Sequence, residues 1–155
     1  MPQHDIASDV ISYLPVRLLL DTDVIIAAMR SPRGASAELL RRIDDGKAKM
    51  VLSVALALEY EAKCLQAEHR LASGLSFEDA TLFVNGLIAM AEPVQPWFRW
   101  RPQLNDPGDE LVLEAAVNGK VSAIVTFNEK HLREAQTRFG IPVIRPGEVL
   151  RRIKP

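Results

Sequence analysis

At 155 residues the chain has the length of one ordinary domain, and 48% hydrophobic with 25% charged residues is enough to bury a substantial core. A formal net charge of −1 excludes a global attraction for polyanions, so a nucleic-acid partner would have to be held by local basic patches or by metal. A single cysteine, Cys64, excludes an internal disulfide, and no zinc-type spacing of Cys and His occurs.

Residues 1–15 carry Asp5 and Asp9 and no continuous apolar run, which is not the pattern of a signal peptide. Ile6, Val10, Ile11 and Leu14 fall on one side of a short helix that Asp5 or Ser8 can cap and Pro15 can end. This N-terminal extension, to which no chemistry is assigned, precedes a single domain over residues 16–155. The apolar runs, residues 54–58 among them, are far too short to cross a bilayer, and a soluble cytoplasmic protein is the expectation.

Residues 16–20 read Val-Arg-Leu-Leu-Leu and stop on Asp21-Thr22-Asp23 before a helical pattern. An apolar run of strand length that ends on acids predicts a buried central strand delivering carboxylates to its carboxyl end, the edge at which open α/β sheets bind ligands. The plain alternative is a helix cap, since Asp21 or Thr22 can hold the first turn of the next helix. Short helices are expected over 24–29 and 35–43, separated by Ser31-Pro32-Arg33-Gly34, and Asp44-Asp45-Gly46 turns the chain into a second strand over 50–52. Ser53 can cap a long helix to about residue 73 with the stripe Leu56, Tyr60, Cys64, Ala67 and Leu71. Within that stripe Cys64 reads as packing. Gly74 ends the helix, Ser76-Phe77-Glu78-Asp79 has the spacing of a capping box for a helix to about residue 90, and a weak strand is expected over 93–95.

Asn105-Asp106-Pro107-Gly108-Asp109 opens another helix with Leu111, Val112, Ala115 and Ala116 inward. A strand over 123–126, a short helix over about 129–138, a strand over 141–144 and a helix after Pro146-Gly147 complete the chain. Strands alternating with helices predict one parallel sheet.

In a parallel sheet the residues after each strand share one edge, which gathers Asp21 and Asp23, Ser53 with Glu59 on its helix, Thr126 and Asn128, and Asp106 and Asp109 if their helix starts there too. That many oxygen ligands describe a site for a hard cation, Mg²⁺ or Mn²⁺. Each member also has a plainer role. Asp106 fits an N-cap with Pro107 at the first helical position, and Asp109 sits where a helix dipole favours an acid. Glu59 stands four residues before Lys63, a surface ion-pair spacing. Asn128 can cap the helix after it, and Thr126 can pack by its methyl.

The ordered set Leu19-Leu20-Asp21-Thr22-Asp23-Val24, Ser53 with Glu59-Tyr60, Asp106-Pro107-Gly108-Asp109-Glu110, Ala116, Ile124-Val125-Thr126-Phe127-Asn128 and Pro146-Gly147-Glu148-Val149-Leu150 resembles the PIN-domain family over residues 16–152. Its nearest branch is similar to the toxins of bacterial toxin–antitoxin pairs, the VapC-like ribonucleases. The resemblance implies a three-layer α/β/α fold with a mostly parallel, roughly five-stranded sheet, and an acidic pocket that binds Mg²⁺ or Mn²⁺ and cleaves RNA. It implies Asp21, Glu59 and Asp109 as the core acids, Asp23 and Asp106 as further metal ligands, and Thr22 or Thr126 as a hydroxyl. It also implies an antitoxin partner and a homodimer. Asn128 departs from the pattern, since many members carry a fourth acid there, which puts a second metal in doubt.

RNA would be gripped outside the acids, by Arg30 and Arg33 after the first helix and by Lys130, His131 and Arg133 beyond Asn128. Trp97-Phe98-Arg99-Trp100-Arg101 reads as a hydrophobic plug or dimer contact before a base-stacking surface. Arg41-Arg42 reads as a solvated helix face. Two other readings compete: a PIN-like module that binds RNA or an antitoxin without cutting, and a haloacid-dehalogenase-like phosphatase with Asp21 as nucleophile. The latter requires a later lysine and a Gly-Asp…Asp pair, where this chain has Phe127-Asn128-Glu129.

Overall fold

The computed structural model describes residues 16–95 and 106–155. The N-terminal extension and the Trp97–Arg101 stretch lie outside these residues. The chain runs β1 (Val16–Leu20), α1 (Thr22–Arg30), α2 (Ala35–Asp44), β2 (Ala48–Leu52), α3 (Val54–Cys64), α4 (Ala67–Ser73), α5 (Phe77–Met90), β3 (Glu92–Pro93), α6 (Pro107–Gly119), β4 (Ala123–Val125), α7 (Arg133–Phe139), β5 (Val143–Ile144) and α8 (Pro146–Arg152). Five strands form one all-parallel sheet in the order β3-β2-β1-β4-β5, flanked by helices in the expected three-layer arrangement.

The apolar run of β1 is the centre: Leu18, Leu19 and Leu20 have no exposed surface. From β1 the chain moves outward through β2 to β3, then crosses back to β4 on the other flank of β1 and moves out again to β5. The connections leaving β1 and β4 therefore run in opposite directions, and the carboxyl ends of these two neighbours border the crevice where doubly wound sheets place ligands. Leu20 pairs with Val125 across it, and Asp21 N–H donates to Val125 O at 2.9 Å.

Side-chain caps set half of the described helix starts. Ser53 Oγ accepts from Leu56 N–H, Ser76 Oγ from Asp79 N–H and Asp106 Oδ1 from Asp109 N–H, as their spacings predicted. The helix expected from 54 to 73 is instead two. It ends at Cys64, Leu65 and Gln66 turn the chain, and α4 starts at Ala67. Leu56, Tyr60 and Cys64 are buried as expected, whereas Ala67 is exposed and Leu71 is 77% exposed, so the stripe stops where the axis changes. The short helix expected from residue 129 begins only at Arg133, after a turn. Arg42 is not the solvated charge expected: it is half-buried, bonded to Glu38, and donates through Nη1 to Leu150 O at 2.9 Å, which pins α2 to α8.

Tyr60 is fully buried and its hydroxyl donates to the carbonyl oxygen of Leu20, tying α3 to the end of β1. Tyr60→Phe should cost roughly 1–3 kcal/mol, because it strips a buried carbonyl of a donor without opening a cavity. Urea unfolding checks this; an unchanged midpoint would show that the bond carries no stability.

Candidate active site

At the crevice, Asp21 is only 8% exposed. Its Oδ1 accepts Thr22 N–H at 2.8 Å and its Oδ2 accepts the Thr126 hydroxyl at 2.7 Å. Asp21 therefore caps α1 with one oxygen, as the plain reading had it, and meets Thr126 with the other. Thr126 is fully buried and works through its hydroxyl, not by methyl packing alone. Thr22 donates its own hydroxyl to Glu59 Oε2 at 2.7 Å, which draws Glu59 toward the end of β1 and sets it apart from a solvated Lys63 partner.

Asp23, on the first turn of α1, faces the loop after β4. Its Oδ2 accepts Phe127 N–H at 3.0 Å and Asn128 Nδ2 at 3.1 Å, with Thr126 Oγ1 at 3.4 Å. Asn128 thus acts as a donor to an acid, and its own N–H donates to Thr126 Oγ1 at 2.9 Å. An acid at this position would set a second negative charge against Asp23. Asp23 Oδ1 is buried and accepts no hydrogen bond of ordinary geometry among the described residues.

Asp106 caps α6 and is exposed; Asp109 lies on the first turn, half-buried, with His131 Nδ1 3.7 Å from its Oδ2. Gly108 between them allows α6 to reach Glu59: a Cβ there would stand 3.1 Å from Glu59 Oε1 and 3.1 Å from Asp106 Oδ1. This role was not read from the sequence, although a glycine in a helix's first turn, where it weakens the helix, was its signal. Tyr60 and the Phe127 N–H were likewise missed as site-building groups. The first is masked by its place in an apolar stripe, and the second is a backbone donor that no side-chain pattern reveals.

Electrostatics bind the acids into one set. Burial, with Glu59 and Asp106 nearby, outweighs the hydrogen bonds and pushes the Asp21 carboxyl above its ordinary value. Burial and then the charge of Asp21 push Asp23 up to about 6. Asp109 is raised by burial and by Asp106, Asp21 and Glu59, against a lowering from His131. Among the described residues no three His, Cys, Asp or Glu side chains are spaced as a ready-made metal cage. Like charges without a counter-charge hold apart, and an all-carboxylate donor set with an unpartnered buried oxygen suits a hard divalent cation in kind.

The cationic candidates are exposed side chains. Arg30 at the end of α1 is exposed with Nη1 3.4 Å from His69 Nδ1, Arg33 is exposed in the turn after it, and Lys130 and Arg133 are exposed beyond Asn128. Of the cationic side chains beyond Asn128, His131 is the one that approaches an acid of the site.

An acid whose pKa is raised by folding binds its proton more tightly in the folded state, so stability is lost as pH rises from the unfolded value through the folded one. For Asp23 that window is 3.8 to about 6. Metal-free Asp23→Asn should gain stability over wild type across this window, by on the order of 1 kcal/mol at neutral pH once solvent screening of the partly exposed carboxyl is counted. Urea unfolding of both proteins as a function of pH checks it, and a difference that does not vary with pH would refute it.

The family model of the PIN domain matches residues 17–130, from β1 through the loop after β4. A search of curated proteins found no match to the chain. The matched stretch spans well over half of the sequence and contains Asp21, Glu59 and Asp109, and the chain belongs to the PIN-domain family.

Proposed function

We propose that the protein is a Mg²⁺- or Mn²⁺-dependent ribonuclease that hydrolyses RNA phosphodiester bonds. PIN domains are in general nucleases that use divalent metal ions. The observation that carries the reading is the gathering of Asp21, Glu59 and Asp109, from three separate elements, into one mutually repelling set at the switch point of the sheet.

In this reading Asp21, Glu59 and Asp109 hold the cation, with Asp23 and Asp106 contributing charge beside them. The cation would supply acidified water and counter-charge for the phosphoryl oxygens. The chain's own residues do the rest. Thr22 and Thr126 fix the rotamers of Glu59 and Asp21 by donating to one oxygen of each, leaving other lone pairs for a ligand. Tyr60 and the β1–β4 pairing keep the end of β1 from shifting. Asn128 and the Phe127 N–H hold Asp23 without adding charge, which favours one cation over two. Arg30, Arg33, Lys130 and Arg133 provide the positive rim that an RNA backbone needs beside an acidic centre.

The partners in this reading are RNA, an antitoxin protein and a second copy of the chain, in the cytoplasm. Exposed apolar side chains on α3 and α5 support a protein partner: Val54 is 78% exposed, Leu58 61% and Leu82 68%. Among the described residues no helix is long and apolar enough to cross a membrane.

Purified protein should cut RNA in Mg²⁺ or Mn²⁺, stop in chelator and recover on metal addition. Asp21→Asn and Asp109→Asn should each lower the rate on the order of 100-fold or more, with far-UV circular dichroism unchanged. RNA binding without cleavage in any divalent metal would favour the binding module instead.

A further inference from the structure

Gly108 is the second residue of α6, and its backbone gives no reason for a glycine there: the glycines that occupy the left-handed region are Gly46, Gly74 and Gly140. In the first turn of a helix any residue with a Cβ adopts the ordinary backbone, and glycine weakens the helix relative to alanine. What sets Gly108 apart is what its missing side chain would meet. A Cβ at the helical glycines Gly86 or Gly147 would find nothing within 4 Å, and one at Gly119 would meet methyl groups of Val94, Val51 and Val121. At Gly108 it would stand between two carboxylates, 3.1 Å from Glu59 Oε1 and 3.1 Å from Asp106 Oδ1.

Neither oxygen is free to give way. Asp106 Oδ1 accepts the Asp109 N–H at 3.0 Å and so caps α6, and a shift of the cap would carry Asp109 with it. Glu59 is held by its other oxygen, Oε2, which accepts the Thr22 hydroxyl at 2.7 Å. Ordinary contact with a Cβ begins at 3.4 Å, so a methyl group on Gly108 would drive Glu59 and the first turn of α6 apart by a few tenths of an ångström. Asp109 is on that turn and within electrostatic reach of Glu59, and the displacement would widen the gap between two acids of the site.

A few tenths of an ångström is also what separates small divalent cations from larger ones. Mg²⁺ takes oxygen at about 2.0–2.1 Å in a strict octahedron, and Ca²⁺ at about 2.3–2.6 Å in looser geometry. The clearance at Gly108 is on the scale that decides which ion an all-carboxylate centre can close on.

We propose that Gly108 is a positioning residue: by carrying no side chain it lets Glu59 close against the first turn of α6, and so fits the acidic centre to a cation of Mg²⁺ size over one of Ca²⁺ size. The proposal rests on the metal-dependent reading of the site. It accounts for a glycine at a place where alanine would strengthen the helix.

Calorimetric titration of the metal-free protein with Mg²⁺ and with Ca²⁺, in the absence of RNA, tests it in wild type and in Gly108→Ala. Mg²⁺ affinity should fall at least about tenfold in the variant, the scale of a change just outside the ligands, and Ca²⁺ affinity markedly less. The metal-free variant should unfold at the same urea concentration as wild type or a higher one, since alanine is the better helix former and Glu59 stands farther from acids that repel it. Gly86→Ala, the same exchange where a Cβ meets open space, should leave both affinities unchanged. Unchanged Mg²⁺ affinity in Gly108→Ala, a loss equal for the two ions, or a variant that no longer folds would overturn the positioning role and leave the metal centre standing. Wild-type protein that takes up neither ion would remove the metal centre itself, and the role of Gly108 with it.

Discussion

Asp21 accepts a hydrogen bond on each carboxylate oxygen, from the Thr22 N–H and from the Thr126 hydroxyl, and on that pair of bonds rests the protein's ability to keep an acid at the end of its central strand. A carboxylate there without donors would be neutralised or would destabilise the fold. One of the donors belongs to the helix after Asp21, and the other stands at the end of a strand, 105 residues away. Correct pairing of β1 with β4 is thus a condition for the charge, and the charge a condition for the chemistry.

The remaining acids are held by the same means and, among the described residues, by no permanent cation of the protein. Asp23 leans on a backbone N–H and an amide, Glu59 on a threonine hydroxyl, and Asp109 has a histidine 3.7 Å away. The carboxyls of Asp21, Asp23 and Asp109 sit high because these contacts offset burial and mutual repulsion only in part. A scaffold that leaves this repulsion standing gives an arriving divalent cation a large differential affinity for the folded state. In the metal-free protein these acids accordingly cost stability at this edge of the sheet.

Glu59 and Asp109 owe their proximity to two helices that approach at a glycine. The same pair of helices borders a cavity lined by Val54 and Ala55 on α3 and by Glu114, Ala115 and Asn118 on α6, and Asn118 Oδ1 is buried without a partner among the described residues.

Local chemistry was legible in the sequence. The apolar run of β1, the strand–helix alternation, the caps at Ser53, Ser76 and Asp106, and the acids that end β1 and open α6 all follow from a handful of neighbouring residues, because propensity, capping and burial periodicity act over a few positions. The tertiary structure alone decided that α3 breaks at Leu65, that Arg42 reaches α8 and that Asn128 donates to Asp23. It also decided that Glu59 answers to Thr22 instead of Lys63 and that a cavity opens beside Asn118. Each of these depends on the distance between groups far apart along the chain, and such distances are set by how whole elements pack, which no local pattern encodes.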